Sequence, residues 1–304
     1  MKNKYLVVVA GPTAVGKTKL SIALAKEFNS EIISADSRQI FREMKIGTAV
    51  PSIDELNTVR HHFIQTRSIT DKYNASVYES EVISLLEKLY KKYKVLFLTG
   101  GSGLYIEAVC KGIDDFPDTD PELRTNLFRK LEEEGIESLR RQLKILDPLS
   151  YSKIDLHNPK RIQKALEISL MTGKPYSSFL SGTQKKRPFK IIRIGLDIPR
   201  EELYQRIDER TIKMIDEGLE MEARAIYHLR HYNALNTVGY KEMFAYLEGK
   251  TNLEDTIIKI QGNTRKYARK QLTWLRKNND YTWFSPENKP GIIHFIKMKM
   301  EEHE

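Results

Sequence analysis

The chain has 304 residues, of which 40% are hydrophobic and 30% charged, enough apolar surface to exclude wholly disordered, collagen-like and low-complexity chains. Lys and Arg number 50 against 41 Asp and Glu, a net +9, and there is one cysteine, Cys110; an intramolecular disulfide and a cysteine metal cluster are therefore excluded, and a reducing cytoplasm is expected. The longest early apolar stretch, residues 6–10, follows Lys2 and Lys4 but runs straight into Gly11 and Lys17, so neither an export signal nor a membrane anchor is expected.

In chain order, residues 5–10 (YLVVVA) predict a buried strand, 17–28 a helix, 31–35 a second strand, 77–93 a helix and 95–99 (VLFLT) a third strand. Cys110 is expected to be a buried small hydrophobe. This alternation implies a parallel sheet with helices on its faces. From 118 to 187 no strand-like run occurs, and three helix starts share one chemistry: Asp120-Pro121, Asp147-Pro148 and Asn158-Pro159 each place an N-cap acceptor before a proline. Gly135 and Gly173 fall where C-caps belong. Residues 190–198 (KIIRIGLDI) predict a strand returning to the sheet, followed by long helices over 201–231 and 253–277 and a short strand at 281–284. The expected organisation is a core of 1–117 and 188–304 interrupted by a helical insertion of 118–187.

Gly11-Pro12-Thr13-Ala14-Val15-Gly16-Lys17-Thr18 fits G-x-x-x-x-G-K-[ST] between the first strand and the first helix, the context that pattern requires. Such a loop turns its N–H groups inward around an anion, the helix adds the positive end of its dipole, Lys17 supplies a charge, and the Thr18 hydroxyl can hold Mg²⁺. A phosphate-bearing ligand follows, without specifying ATP. The end of the third strand, Leu98-Thr99-Gly100-Gly101-Ser102-Gly103, lacks the acid a hydrolysing P-loop enzyme carries there. The nearest strand-end acid is Asp36, which can act as a general base, bind a metal through water, or cap a turn with Ser37.

Glycines 100, 101 and 103 permit a backbone to approach the ligand, beside the Ser102 hydroxyl. Arg206 and Arg210, one turn apart, suit either a leaving phosphate or surface ion pairs. Residues 256–279 hold Lys259, Arg265, Lys266, Arg269, Lys270, Arg276 and Lys277 with no acid; the segment reads as a helix docked through Ala268, Leu272 and Leu275 and offering its charges to a nucleic-acid backbone, or else as a solvated face. Tyr267 and Trp274 are expected as core anchors in preference to base-stacking platforms, and His61 and His62 in structural or solvent-facing positions.

Taken in order, G11PTAVGKT18, S34ADSRQIF41 with I46GT48, G100GSGLY105, R206IDER210, V238GYKE242 and R269KQLTWLR276 resemble the tRNA dimethylallyltransferase (isopentenyltransferase) family over nearly the whole chain. The resemblance implies an α/β, P-loop NTPase-like parallel sheet core with an α-helical insertion. It implies transfer of a dimethylallyl group from its diphosphate to N6 of the adenosine directly 3′ of the anticodon. In that family the loop holds the prenyl diphosphate, with Thr13 to Thr18 lining it and Mg²⁺ on Thr18.

By the same resemblance Asp36 is the general base, Ser102 (where the family usually has Thr) orients the adenine, and Arg210 contacts the diphosphate. Asp36, Ser37, Arg38 and Gln39 face the flipped-out adenosine. Arg124, the stretch Lys160, Arg161, Ile162, Gln163 and Lys164, and the stretch Asn236, Thr237, Val238, Gly239, Tyr240 and Lys241 match positions that touch the anticodon arm, with Arg265 and Arg269 of the basic helix added. Val50 departs from the lysine often found there. The expected partners are the tRNA anticodon stem-loop and dimethylallyl diphosphate, with no membrane, the protein acting as a cytoplasmic monomer. A P-loop small-molecule or nucleotide kinase, and an RNA-binding protein without activity, are the alternatives.

Overall fold

The structure is a computed structural model that describes residues 3–114, 116–117, 120–180, 182 and 184–302. Its elements are β1 (Tyr5–Ala10), α1 (Lys17–Glu27), β2 (Ile32–Ser34), α2 (Ile53–Thr58), β3 (His61–His62), α3 (Ala75–Leu89), β4 (Val95–Gly100), α4 (Gly103–Lys111), α5 (Pro121–Leu146), α6 (Pro148–Lys153), α7 (Pro159–Thr172), β5 (Lys190–Leu196), α8 (Arg200–Asp216), α9 (Leu219–Ala225), α10 (Tyr240–Leu247), α11 (Leu253–Arg276), β6 (Thr282–Phe284) and α12 (Lys289–Glu301). Two compact units result: a core of Met1–Lys111 with Lys186–Glu304, and a helical unit of Gly112–Lys185.

In the core unit six parallel strands run in the order β3-β2-β4-β1-β5-β6. All six residues of β1 are buried, as a strand covered on both faces requires, which is why it reads as a continuous apolar run rather than an alternation. β1 pairs with β4 on one side (Val9 with Thr99) and with β5 on the other (Val9 with Ile194). The loops that follow β1, β2 and β4 therefore meet at one end of the sheet, where open α/β sheets bind ligands. β3 is too short for a sequence pattern to show; it adds an edge to β2, with His62 Nε2 2.7 Å from Glu31. That pair accounts for His62 structurally.

The helix expected over 201–231 breaks: α8 stops at Asp216, Gly218 intervenes, and α9 ends at Ala225. The tail forms α12, burying Ile292 and Ile296, and its Met300 carbonyl accepts from the Tyr5 hydroxyl at 2.9 Å. Cys110 is buried on α4, and burial pushes its thiol up to about 12. Arg187, placed by composition at the end of the insertion, belongs to the core unit: its Nη2 donates to Glu79 Oε1 and to the Ala108 carbonyl, both at 2.7 Å.

The helical unit begins its helices as the Asx-Pro pairs predict. Asp120 accepts from Glu122 N (2.8 Å), Asp147 from Ser150 N (2.9 Å) and Asn158 from Arg161 N (3.4 Å). Gly173 closes α7 at φ 67°, and Gly135 (φ 75°) interrupts α5, conformations that a side chain would strain. Leu127, Leu139, Leu143, Ile162, Ala165 and Leu166 form its core. Asp147 ties two segments together, because it also accepts from Ser177 N (2.7 Å) and Ser177 Oγ (2.8 Å). Burial pushes the Asp147 carboxyl up, but the donors of Ser150 and Ser177 outweigh it and hold the group below the usual carboxylate range.

A carboxyl depressed in the folded state contributes stability above its unfolded pKa of about 3.9, and that contribution disappears as pH falls through the folded value. Asp147→Ala is expected to destabilise the helical unit by about 2 kcal/mol at pH 7 through the lost cap and orphaned donors. Hydrogen exchange of the amides of α6 and α7 in wild type and variant measures this; the difference should shrink in acid, and equal protection at pH 7 would refute the role.

Candidate active site

The loop from Gly11 to Thr18 leaves β1 and enters α1. Val15 is fully buried behind the loop and Gly11 abuts the Leu196 backbone; neither of these two members of the expected diphosphate-binding loop lines the cavity. Thr13 N is also taken, donating to Gln271 Oε1 at 2.9 Å, and Val15 N donates to the Pro12 carbonyl at 3.4 Å. The N–H groups of Ala14, Gly16, Lys17 and Thr18 have no protein acceptor among the described residues. These four, at the positive end of α1, form the anion cradle.

A cavity of about 260 Å³ opens over this cradle. Thr13, Ala14, Gly16, Lys17 and Thr18 line one side, Asp36, Gln39, Thr48 and Arg210 another, and Tyr267 and Gln271 of α11 a third. Lys17 Nζ donates to the carbonyls of Gly11 (3.1 Å) and Pro12 (2.7 Å). Burial pulls the Lys17 ammonium down to about 8; Asp36 opposes that shift and Arg210 adds to it. Burial also lowers Arg210, again against Asp36. Two cations thus face one carboxylate in a water-poor space, a balance that favours an anionic ligand.

Asp36 sits just beyond β2, and its Oδ1 accepts from Arg38 N (2.8 Å) and Gln39 N (3.2 Å). The turn-capping role is therefore real, and it orients the carboxylate while leaving Oδ2 without a protein donor among the described residues. Gln39 Nε2 in turn donates to the carbonyls of Thr48 (3.2 Å) and Ala49 (2.9 Å), and Arg210 Nη2 to that of Thr48 at 3.4 Å. The I46GT48 loop is held from behind by Glu222, which accepts from the N–H groups of Lys45 (2.9 Å), Ile46 (2.7 Å) and Gly47 (2.9 Å) and from the Tyr240 hydroxyl (2.6 Å). Tyr240 is fully buried and Gly239 is buried with it; of the 236–241 stretch, Asn236 and Lys241 are the exposed members.

Several expected positions are corrected. Ser102 does not line the cavity: its Oγ accepts from Ser37 N at 2.9 Å and bonds Ser37 Oγ at 3.1 Å, tethering the Asp36 turn to β4. Thr99, where an acid would stand in a hydrolysing enzyme, donates to Ser21 Oγ at 2.9 Å. The glycines at and after the end of β4 admit protein close by, although Gly100 also lines the cavity. A Cβ at Gly100 would strike the Ala35 carbonyl, one at Gly101 the Gln271 amide, and one at Gly103 the Trp274 ring.

Tyr267 and Trp274 are not core residues: they are 43% and 38% exposed, and Tyr267 lines the cavity. Burial within that cavity, reinforced by Asp36, pushes the Tyr267 hydroxyl up to about 12. Arg206 does not line the cavity: it pairs with Glu202 at 2.5 Å and Glu287 at 3.1 Å, and its Nη1 donates to the Val15 carbonyl behind the loop at 3.5 Å. Two arginines of the α11 segment meet acids from elsewhere, which its own sequence could not reveal: Arg265 forks onto Asp208 (2.8 and 2.9 Å) and Arg276 pairs with Asp197, while Arg269 donates to Tyr204 Oη at 2.7 Å. In the helical unit Ile162 and Gln163 are buried, because consecutive helical residues cannot share one face; Lys160 and Arg161 are exposed, and Arg124 forks onto the buried Glu167 at 2.8 and 3.2 Å.

The sequence profile of the IPP transferase family matches residues 39–278. A tRNA dimethylallyltransferase of Azobacteroides pseudotrichonymphae is 54% identical over 94% of this chain and 93% of its own length, and one of Christiangramia forsetii 52% identical over 98% and 99%. This chain belongs to the tRNA dimethylallyltransferase family. Among solved structures, the full-length tRNA isopentenylpyrophosphate transferase of Bacillus halodurans superposes with a TM-score of 0.73 at 35% identity, covering 99% of this chain and 98% of that one. A eukaryotic dimethylallyltransferase acting on tRNA gives 0.74 at 28% identity over 90% of this chain and 70% of that one. The P-loop α/β fold expected from the sequence is the fold of this tRNA dimethylallyltransferase-family chain. Among the described residues, no helix is long and apolar enough to cross a membrane.

Gln271, to which the R269KQLTWLR276 resemblance assigns no role of its own, closes the site. Its Oε1 accepts from Thr13 N and its Nε2 donates to the Gly101 carbonyl, each at 2.9 Å, so one buried amide joins the anion loop to the end of β4. Gln271→Ala is expected to weaken binding of the prenyl diphosphate about tenfold by leaving the buried Gly101 carbonyl and the half-buried Thr13 N–H unpaired. Isothermal titration with the diphosphate measures it, and an unchanged dissociation constant would remove Gln271 from the site.

Proposed function

We propose that the chain transfers a dimethylallyl group from dimethylallyl diphosphate to N6 of the adenosine immediately 3′ of the anticodon in tRNA. The observation that carries this reading is the Asp36 carboxylate sharing one cavity with the P-loop, Lys17 and Arg210, with Thr99 in place of a hydrolytic acid. Ala14, Gly16, Lys17 and Thr18 hold the diphosphate through backbone N–H groups and the Lys17 charge. Asp36 takes a proton from the adenine amine as the N6–C1 bond forms and the C1–oxygen bond breaks, and diphosphate departs with the bonding pair. Arg210 meets the charge that grows on the leaving oxygen.

Thr18 and Asp36 are hard oxygen donors, and no group of three His, Cys, Asp or Glu side chains gathers among the described residues. That set fits Mg²⁺, which the Thr18 hydroxyl would hold beside the diphosphate. Bound there, Mg²⁺ supplies further charge neutralisation for the diphosphate. Exposed Arg124, Lys160, Arg161, Asn236 and Lys241 are available to the anticodon arm. The proposal extends to a monomer acting in the cytoplasm, a compartment that a single buried cysteine suits.

Mass spectrometry of an unmodified anticodon stem-loop incubated with the protein, Mg²⁺ and either dimethylallyl diphosphate or ATP tests the proposal. A gain of one prenyl mass with the diphosphate alone is expected. ATP consumption with no gain on the RNA would overturn the reading in favour of a kinase.

A further inference from the structure

A groove of about 380 Å³ on the outer face of α11 is lined by Lys266, Arg269, Lys270, Thr273, Trp274 and Lys277, with no acid among them. The arginines of this helix are drawn to acids or to Tyr204 as described above, but Lys266, Lys270 and Lys277 form no ion pair among the described residues. Trp274 lies so close over Gly103 that a Cβ there would collide with its ring. The indole is therefore pinned from below, yet remains 38% exposed, and Leu104, next to Gly103 in the chain, is 61% exposed.

A large aromatic face fixed in advance, open to solvent and surrounded by unpaired lysines, has the composition of a base-stacking platform with phosphate contacts beside it. Its position matters as much. Trp274 follows Tyr267 by seven residues, two helical turns on one face of α11 and about 10 Å along its axis. Tyr267 lines the cavity that holds Asp36. A base seated in the cavity cannot also reach Trp274, whereas a neighbouring unpaired base of the same strand can.

We propose that Trp274 stacks an unpaired base flanking the target adenosine, while Lys270 and Lys277 take the phosphates around it. The inference rests on the RNA substrate named above and adds a second base subsite to it. Stacking on a pinned ring also holds the strand splayed, which lowers the cost of extracting the target base.

Fluorescence anisotropy with a labelled, unmodified anticodon stem-loop tests this. Wild type, Trp274→Ala and Trp274→Tyr are compared, with the intact loop and with an abasic residue at each unpaired position in turn. Trp274→Ala should weaken binding about tenfold and Trp274→Tyr less than about threefold. One abasic position next to the target should weaken wild type by the same factor and add nothing in Trp274→Ala, the signature of a shared contact. Lys270→Ala and Lys277→Ala should each reduce the salt dependence of log Kd by about one phosphate contact.

Melting temperatures establish that the variants are folded, and the tyrosine variant keeps the ring if alanine does not fold. Wild-type affinity in Trp274→Ala, or abasic effects that add at every position, would overturn the inference, including the case in which the groove holds a protein instead. Those results with prenyl transfer intact leave the proposed function standing. A wild-type protein that neither binds nor prenylates the stem-loop overturns both.

Discussion

Asp36→Asn is expected to lower the single-turnover rate of prenyl transfer by about a thousandfold while changing stem-loop affinity by less than about threefold. The asparagine substitution is the informative one. Asp36 Oδ1 accepts from the N–H groups of Arg38 and Gln39, and an asparagine carbonyl can accept the same two bonds, so the turn that carries Gln39 survives. What disappears is the negative charge and the capacity to take a proton at Oδ2. Alanine would remove turn and charge together and confound the two. A rapid-quench measurement with saturating diphosphate and stem-loop gives the rate. An Asn variant within tenfold of wild type would assign Asp36 to the turn alone and leave the amine to lose its proton to water.

Arg210→Ala should cost about a hundredfold or more in the same rate, with a weaker diphosphate dissociation constant as a second consequence. Arg210 and Lys17 both face Asp36 across the cavity, but they are fixed differently. Lys17 is anchored on the loop carbonyls of Gly11 and Pro12, whereas Arg210 is held through Thr48, whose loop depends on Glu222. Removing the guanidinium leaves Asp36 facing one cation instead of two. Arg210→Lys should restore little, because a single ammonium cannot reproduce the planar fork. Equal rates in Arg210→Ala and wild type, at saturating diphosphate, would exclude a role at the leaving oxygen.

The parts of the site that lie on one local segment were legible in the sequence. The P-loop announces itself because its spacing, strand and helix are contiguous, and Asp36 stands out as the acid at a strand end. What the sequence concealed is contact across distance. Gln271 meets Thr13 from 258 positions away, and nothing local in the run around it distinguishes a buried amide that bridges two loops from one on a solvated face. Tyr267 and Trp274 read as core because large aromatics on a docked helix usually are; here the glycines after β4 bring α11 so close that its aromatics lie at a cavity and a surface instead. The salt bridges of Arg265 and Arg276 are invisible for the same reason, since their acids lie on α8 and beyond β5. By contrast Ile162 and Gln163 could have been set aside from helical periodicity alone, as a five-residue stretch of helix cannot expose every member.

The bond between Gln271 and the P-loop also sets an order of events during synthesis. β1 is made well before its neighbour β5, which comes only after the helical unit has been translated, and the amide that braces the anion loop follows some seventy-five residues after β5 is done. Nascent chains of this protein must therefore carry an exposed central strand and an unfinished loop through most of elongation, a burden typical of sheets assembled from distant segments. A chain short of α11 lacks both the Gln271 bond to the loop and Tyr267 of the cavity wall, so the ligand stabilises the fold fully only once α11 has emerged from the ribosome.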